Sequence, residues 1–84
     1  LVSMRDFPGE FVWYRVAPAS AVADVFVRDL DTPDGCLVTL VVRGREVVVP
    51  RGSTQLLQAD EVCVFATPEA RPWLDLIFAG GEES

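Results

Sequence analysis

Three arginines, Arg43, Arg45 and Arg51, fall around one glycine turn and one Pro50-Arg51-Gly52-Ser53-Thr54 corner in a chain whose formal net charge is −6. A local positive spot in an acidic chain is suited to a small anion, because a guanidinium group offers paired N–H donors to a carboxylate or a phosphate. The candidate ligand contacts are therefore Arg43, Arg45, Arg51, Ser53 and Thr54. The competing reading is that the arginines are ordinary surface or ion-paired side chains, which contribute little.

Other chemistry is poorly provided for. The chain has no histidine, so a serine or cysteine nucleophile lacks its usual base. The adjacent acids Asp60-Glu61 and the pair Asp29 and Asp31 fall in turns, where solvated or capping roles are the ordinary explanation. Gly52-Ser53-Thr54 lacks the lysine and the spacing of a phosphate-binding loop. An enzyme is not expected unless another domain donates a catalytic residue. No histidine and no Cys-x-x-Cys pair means no zinc ligand set, and no cofactor is expected. Cys36 and Cys63 sit in apolar strand contexts and read as small buried hydrophobes; a disulfide between them needs Cα atoms within about 7 Å, which spacing does not set. With 13 acids against seven bases, a nucleic-acid partner is set aside.

These residues need elements to hold them. Glu10 to Val16, aromatic and β-branched after Pro8-Gly9, predicts a first strand. Ser20 is placed to cap a short helix over Ala21 to Leu30, with Val22, Phe26 and Leu30 four apart on one face. The Asp31-Thr32-Pro33-Asp34-Gly35 cluster ends it. Cys36 to Val42 is almost wholly apolar and predicts a central strand covered on both faces. Gly44 allows a tight turn into Glu46 to Val49, and Pro50 stops that strand because it has no amide proton. A turn or a single helical turn anchored by Leu56 or Leu57 leads to a fourth strand, Glu61 to Ala66. Thr67-Pro68-Glu69 then opens a last helix carrying Trp73, Leu74, Ile77 and Phe78, with Gly80-Gly81 ending it before an acidic tail. The expected class is α+β: a small four-stranded sheet with a central hairpin, a short helix after strand 1 and a C-terminal helix. Residues 1–9 read as a linker, 10–80 as the domain and 81–84 as a tail.

One domain of 84 residues buries only about 60–65% of its unfolded surface, and half its residues are hydrophobic. That excess predicts apolar surface reserved for a second chain. No apolar run reaches the ~18–20 residues of a membrane span, and the start has no signal-peptide layout, so a soluble domain is expected. Leu1 in place of methionine suggests a fragment or a processed chain.

The order of elements and two segments resemble the TrkA carboxy-terminal domain, also called the RCK carboxy-terminal domain. Ser20-x-Val22-x-x-x-x-Val27-x-Asp29-Leu30-x-x-Pro33-x-Gly35-x-Leu37-Val38 is similar to the family's helix and following strand. Pro50-x-Gly52-Ser53-Thr54-x-Leu56-x-x-Ala59-Asp60-x-Val62-x-Val64 is similar to its most distinctive corner. The family pattern carries glycine where this chain has Asp24 and Ala59, and its hairpin is one residue longer than Arg43-Gly44-Arg45. The resemblance implies a regulatory domain on the cytoplasmic face of the cell membrane. It would dimerise, bind a small anionic or nucleotide effector, and be attached to or associated with a membrane transporter for potassium or another cation. The C-terminal segment looks most like the version behind a potassium/proton antiporter. Alternatives are a purely structural dimerisation module and a CorC/HlyC-type transporter-associated domain.

Overall fold

The computed structural model describes residues 8–79. Most of the expected linker, the Gly80-Gly81 stop and the acidic tail lie outside the described residues. Strands β1 (Glu10–Arg15), β2 (Cys36–Arg43), β3 (Glu46–Val48) and β4 (Glu61–Ala66) form one antiparallel sheet in the order β1-β4-β2-β3. Helix α1 (Arg71–Phe78) follows. Gly44 turns the β2–β3 hairpin at φ 64°, and Arg43 and Glu46 close its ladder. The strand after the Pro50 corner does return into the shared sheet, where it becomes the lane between β1 and β2.

Directly opposed residues share a face. One face therefore carries Val64 with Val38, and Val62 with Val41, and these pack with Leu74, Ile77 and Phe78 of α1 in the core. Thr39 is an extra residue between Val38 and Leu40 that resets the alternation, so that Val38 and Val41 both point to the core side. Its hydroxyl donates to the Cys63 carbonyl at 2.9 Å. Neither β2 nor β4 is covered on both faces: Val62 and Val64 of β4 point into the core, Cys63 is buried on the other face by its neighbours Trp13 and Leu40, and Leu37 of β2 is 65% exposed on that same face. The continuous apolar run of β2 reflects the bulge and an uncovered face.

Two helical expectations need correction. Residues 21–30 do not form an α-helix; the chain from Ala17 to Leu30 is a string of i→i+3 turns, with a 3-10 turn only at Val27–Asp29. Three β-branched residues, Val22, Val25 and Val27, weaken a helix here, and the backbone finds other partners. Asp24 N–H donates to Leu56 O at 2.7 Å, Leu56 N–H to Val25 O at 2.9 Å and Val27 N–H to Thr54 O at 2.8 Å. At the C-terminal end, a 3-10 turn at Pro68–Ala70 precedes α1, and the Thr67 hydroxyl caps nothing. Instead Thr67 N–H donates to Gly35 O at 3.0 Å, and a Cβ at Gly35 would meet Thr67 Oγ1 at 2.8 Å. Tyr14 fixes α1 to β1: its ring stacks on Phe78 at 4.7 Å and its hydroxyl donates to Asp75 Oδ1 at 2.6 Å.

Ala19, Asp24 and Ala59 have φ of 62°, 66° and 75°. Each is the third residue of a turn closed from fourth N–H to first C=O: Ala17–Ser20, Val22–Val25 and Leu57–Asp60. A turn with that sign of φ at its third residue favours glycine. Glycine at 59 therefore relieves strain, and after the extra freedom it gives the unfolded chain the net gain is about 0.5–1 kcal/mol. Ala59→Gly is expected to raise the urea midpoint; a lower midpoint would show the position to be unstrained.

Candidate functional site

The corner between β3 and β4 is built from two turns closed in the same way. Thr54 N–H donates to Arg51 O at 3.0 Å while Arg51 N–H donates to the Thr54 hydroxyl at 2.9 Å. Asp60 N–H donates to Leu57 O at 3.0 Å while Leu57 N–H donates to Asp60 Oδ2 at 2.8 Å. A side-chain oxygen that answers the backbone in this manner is what Thr and Asp bring to tight turns.

Arg43 belongs to the second turn. Its Nε donates to Asp60 Oδ1 at 2.9 Å and its Nη2 to Asp60 Oδ2 and Gln55 O, each at 2.8 Å. Asp60 is only 2% exposed. Burial pushes its carboxyl pKa up, but the Arg43 hydrogen bonds, the Leu57 amide and the Arg43 charge outweigh burial and hold it below the usual carboxylate range. Of the candidate contacts, Arg43 is thus engaged by the protein through Nε and Nη2, pinning the hairpin to the corner.

The other candidates are not gathered together. Arg45 is exposed in the hairpin turn. Arg51 lies at the far end of β2, beside Leu37 and Val38, and six strand steps run from Leu37 to Arg43, a rise of roughly 20 Å. Ser53 is exposed and Thr54 half-buried in the Arg51 turn. Arg51 and Gly52 close one end of a trench of about 250 Å³, walled by Val27, Leu30, Thr32, Cys36, Leu37 and Val38. Sequence reasoning found the arginine but not these walls; the signal was the uncovered apolar run of β2 ending at Cys36-Leu37. An apolar trench with one cation and one hydroxyl can hold a flat or aliphatic group that bears an anion. Among the described residues no group of ligating side chains is placed to hold a metal.

Both cysteines are free. Cys63 is buried in the sheet, and the Cys36 thiol donates to Pro33 O at 3.1 Å, its pKa pushed up by burial. They stand on different rungs, Cys36 opposite Ala66 and Cys63 opposite Leu40.

The sheet face away from α1 carries Phe11 (54% exposed), Trp13 (53%), Leu37 (65%) and Val47 (64%). Phe65 joins them, its ring edge-on to Phe11 at 5.1 Å. The only charges on the paired rungs of this face are Arg15 and Glu61, directly opposite one another.

The family model of the TrkA-C domain matches residues 11–72. The chain belongs to the TrkA-C domain family. Its relatives include Trk system potassium uptake protein TrkA homolog 1 of Methanosarcina mazei, 28% identical over 78 residues, which are 93% of this chain and 17% of that protein. TrkA homolog 2 of the same organism is 26% identical over 78 residues, again 93% of this chain and 17% of that protein. The chain thus spans about one-sixth of the length of these relatives. A solved structure described as an RCK domain with cda superposes with a TM-score of 0.73 over 82% of this chain and 97% of that one, at 19% identity. It shares the fold. The TrkA-C glycines expected at Asp24 and Ala59 fall at two of the three left-handed turn positions here, so these departures keep the backbone shape without the residue that favours it. Among the described residues no helix is long and apolar enough to cross a membrane.

Proposed function

We propose that this TrkA-C domain is the dimerising, effector-sensing regulatory part of a cation transport protein, a potassium/proton antiporter being the first choice, and that it works on the cytoplasmic face of the membrane. The observation that carries the reading is Leu37, which is at once a wall of the Arg51 trench and part of the uncovered apolar sheet face. A trench of about 250 Å³ is below the roughly 300–1,000 Å³ of a small-molecule site, so a second copy lying on the sheet face both covers Phe11, Trp13 and Leu37 and enlarges the site. The effector is a small anion or nucleotide, held by Arg51 within the Ser53-Thr54 turn, while Arg45, at the other end of β2, adds only to the field that draws an anion in. Its binding biases the transporter to the extent that two arrangements of the dimer bind it with different affinity.

Two measurements test this. Light scattering is expected to give a dimer for the wild type and a monomer for Trp13→Glu; a dimer unaffected by that change overturns the sheet face as the interface. Isothermal titration with a cyclic dinucleotide is expected to show binding that Arg51→Ala weakens at least about tenfold and Arg45→Ala weakens less. A chain that dimerises but binds no nucleotide or other small anion favours the bare sheet face acting alone, as a structural dimerisation module.

A further inference from the structure

A second apolar feature lies on the opposite side of the molecule from the bare sheet face. Helix α1 turns Leu74, Ile77 and Phe78 into the core but leaves Trp73 40% exposed and Leu76 65% exposed. The Trp73 indole is not loose: its Nε1 donates to Asp31 O at 2.8 Å, which fixes the ring against the end of the turn string. Beside it, a slot of about 120 Å³ is lined by Val22, Val25, Leu30 and Ile77, with Asp29 and Asp31 at its rim and Ala21 at its mouth.

Size and charge together select the occupant. A dry apolar cavity of about 150 Å³ takes a benzene ring, so a slot of about 120 Å³ takes one aliphatic side chain and no nucleotide. The described ion pairs join Arg43 to Asp60 and Arg71 to Glu10, and neither involves Asp29 or Asp31. Both rim carboxylates are exposed, and each can accept a cation from outside. A second copy of this chain, itself at −6, is a poor match for an acidic rim. A segment with a leucine flanked by arginine or lysine is a good one, and excess basic residues mark the cytoplasmic ends of membrane-spanning helices. A rigid tryptophan beside a pocket is also the usual anchor of a small interface.

We propose that this slot docks a short basic, leucine-bearing segment of the transport protein to which the domain belongs, with the aliphatic side chain in the slot and the flanking cations on Asp29 and Asp31. The inference rests on the regulatory reading above and supplies the contact through which the domain pulls on its transporter.

The test is fluorescence anisotropy with the whole chain and a capped, labelled hexapeptide of alternating arginine and leucine. Saturable binding is expected, weakened at least about tenfold by Asp29→Asn/Asp31→Asn and similarly by Ala21→Phe, which plugs the slot. The double amide variant loses no hydrogen bond made by either carboxylate among the described residues and is expected to keep the wild-type melting temperature; it decides the matter alone if Ala21→Phe fails to fold. No binding to the wild type, equal binding to the variants, or equal binding of a peptide with serine in place of leucine overturns the proposal. A chain that pairs and binds the cyclic dinucleotide yet ignores the peptide overturns the slot alone. Slot-dependent peptide binding without any effector binding upholds the slot and overturns the sensing role.

Discussion

Alanine at position 43 is expected to cost the domain about 2–3 kcal/mol at neutral pH, less than the loss of one member of a fully buried ion pair because only Asp60 is buried. The two partners are not equivalent: the Asp60 side chain is 2% exposed and that of Arg43 36%. Losing Arg43 leaves a largely buried carboxylate with only the Leu57 amide to answer it. Losing the charge of Asp60 lets Arg43 turn to solvent, so Asp60→Asn is the milder change, at about 1–2 kcal/mol. The pH dependence separates this structural role from a ligand-binding one. In the wild type the folded pKa of Asp60 is depressed, so its contribution is present above the unfolded value near 3.9 and is lost as pH falls through the lower folded value. In Arg43→Ala burial dominates, the folded pKa rises above the unfolded one, and the folded state takes up the proton first. The variant's deficit against the wild type therefore shrinks as pH is lowered from 7 toward 5. Urea midpoints at both pH values check this; a deficit that is absent at pH 7, or the same at pH 5, contradicts the stranded carboxylate.

Leu56→Ala is expected to lose about 2–5 kcal/mol, and Leu57→Ala less than about 1 kcal/mol, although the residues are neighbours of the same type. Leu56 is 0% exposed, and its N–H and C=O both bond to the Val25 turn, so its side chain and its backbone join the corner to the turn string at one point. Leu57 is only half-buried. For 84 residues at roughly 0.05–0.15 kcal/mol each, the larger loss is a substantial share of a marginal stability. Calorimetric melting of the pair decides it, and an equal loss in both refutes the assignment of the anchor.

The sequence alone could offer either leucine as that anchor, because alternation breaks down in a link that is neither strand nor helix. The strands were legible: β1, β2 and β4 begin where their composition changes, and Pro50 and Gly44 mark the hairpin by what they lack. The turn string was not. Val22, Phe26 and Leu30 have helical spacing, but the segment is held by hydrogen bonds to residues 52–56, and long-range pairing leaves no periodic trace. The left-handed residues were hidden for a related reason, since alanine and aspartate there satisfy a backbone shape that glycine ordinarily announces. Within the candidate site, the arginines were visible as a group because they are close in sequence. Their division, Arg43 inward to Asp60 and Arg51 outward to the trench, depends on which end of an eight-residue strand each one meets.

The position of β4 also governs how the domain comes into being. Its neighbours β1 and β2 never pair with each other, so before the last strand arrives the hairpin and β1 are separate pieces facing an empty lane. Closing that lane joins Arg15 to Glu61 across the intervening chain, and the entropy of that closure is spent before most of the core is sealed. A nascent chain halted at Asp60 can pair no strands of the sheet except the hairpin, and the step that follows is abrupt, with both apolar strand edges quenched by the same six residues. Folding of this domain is accordingly expected to be slow for its size and all-or-none, with its stickiest moment just before completion.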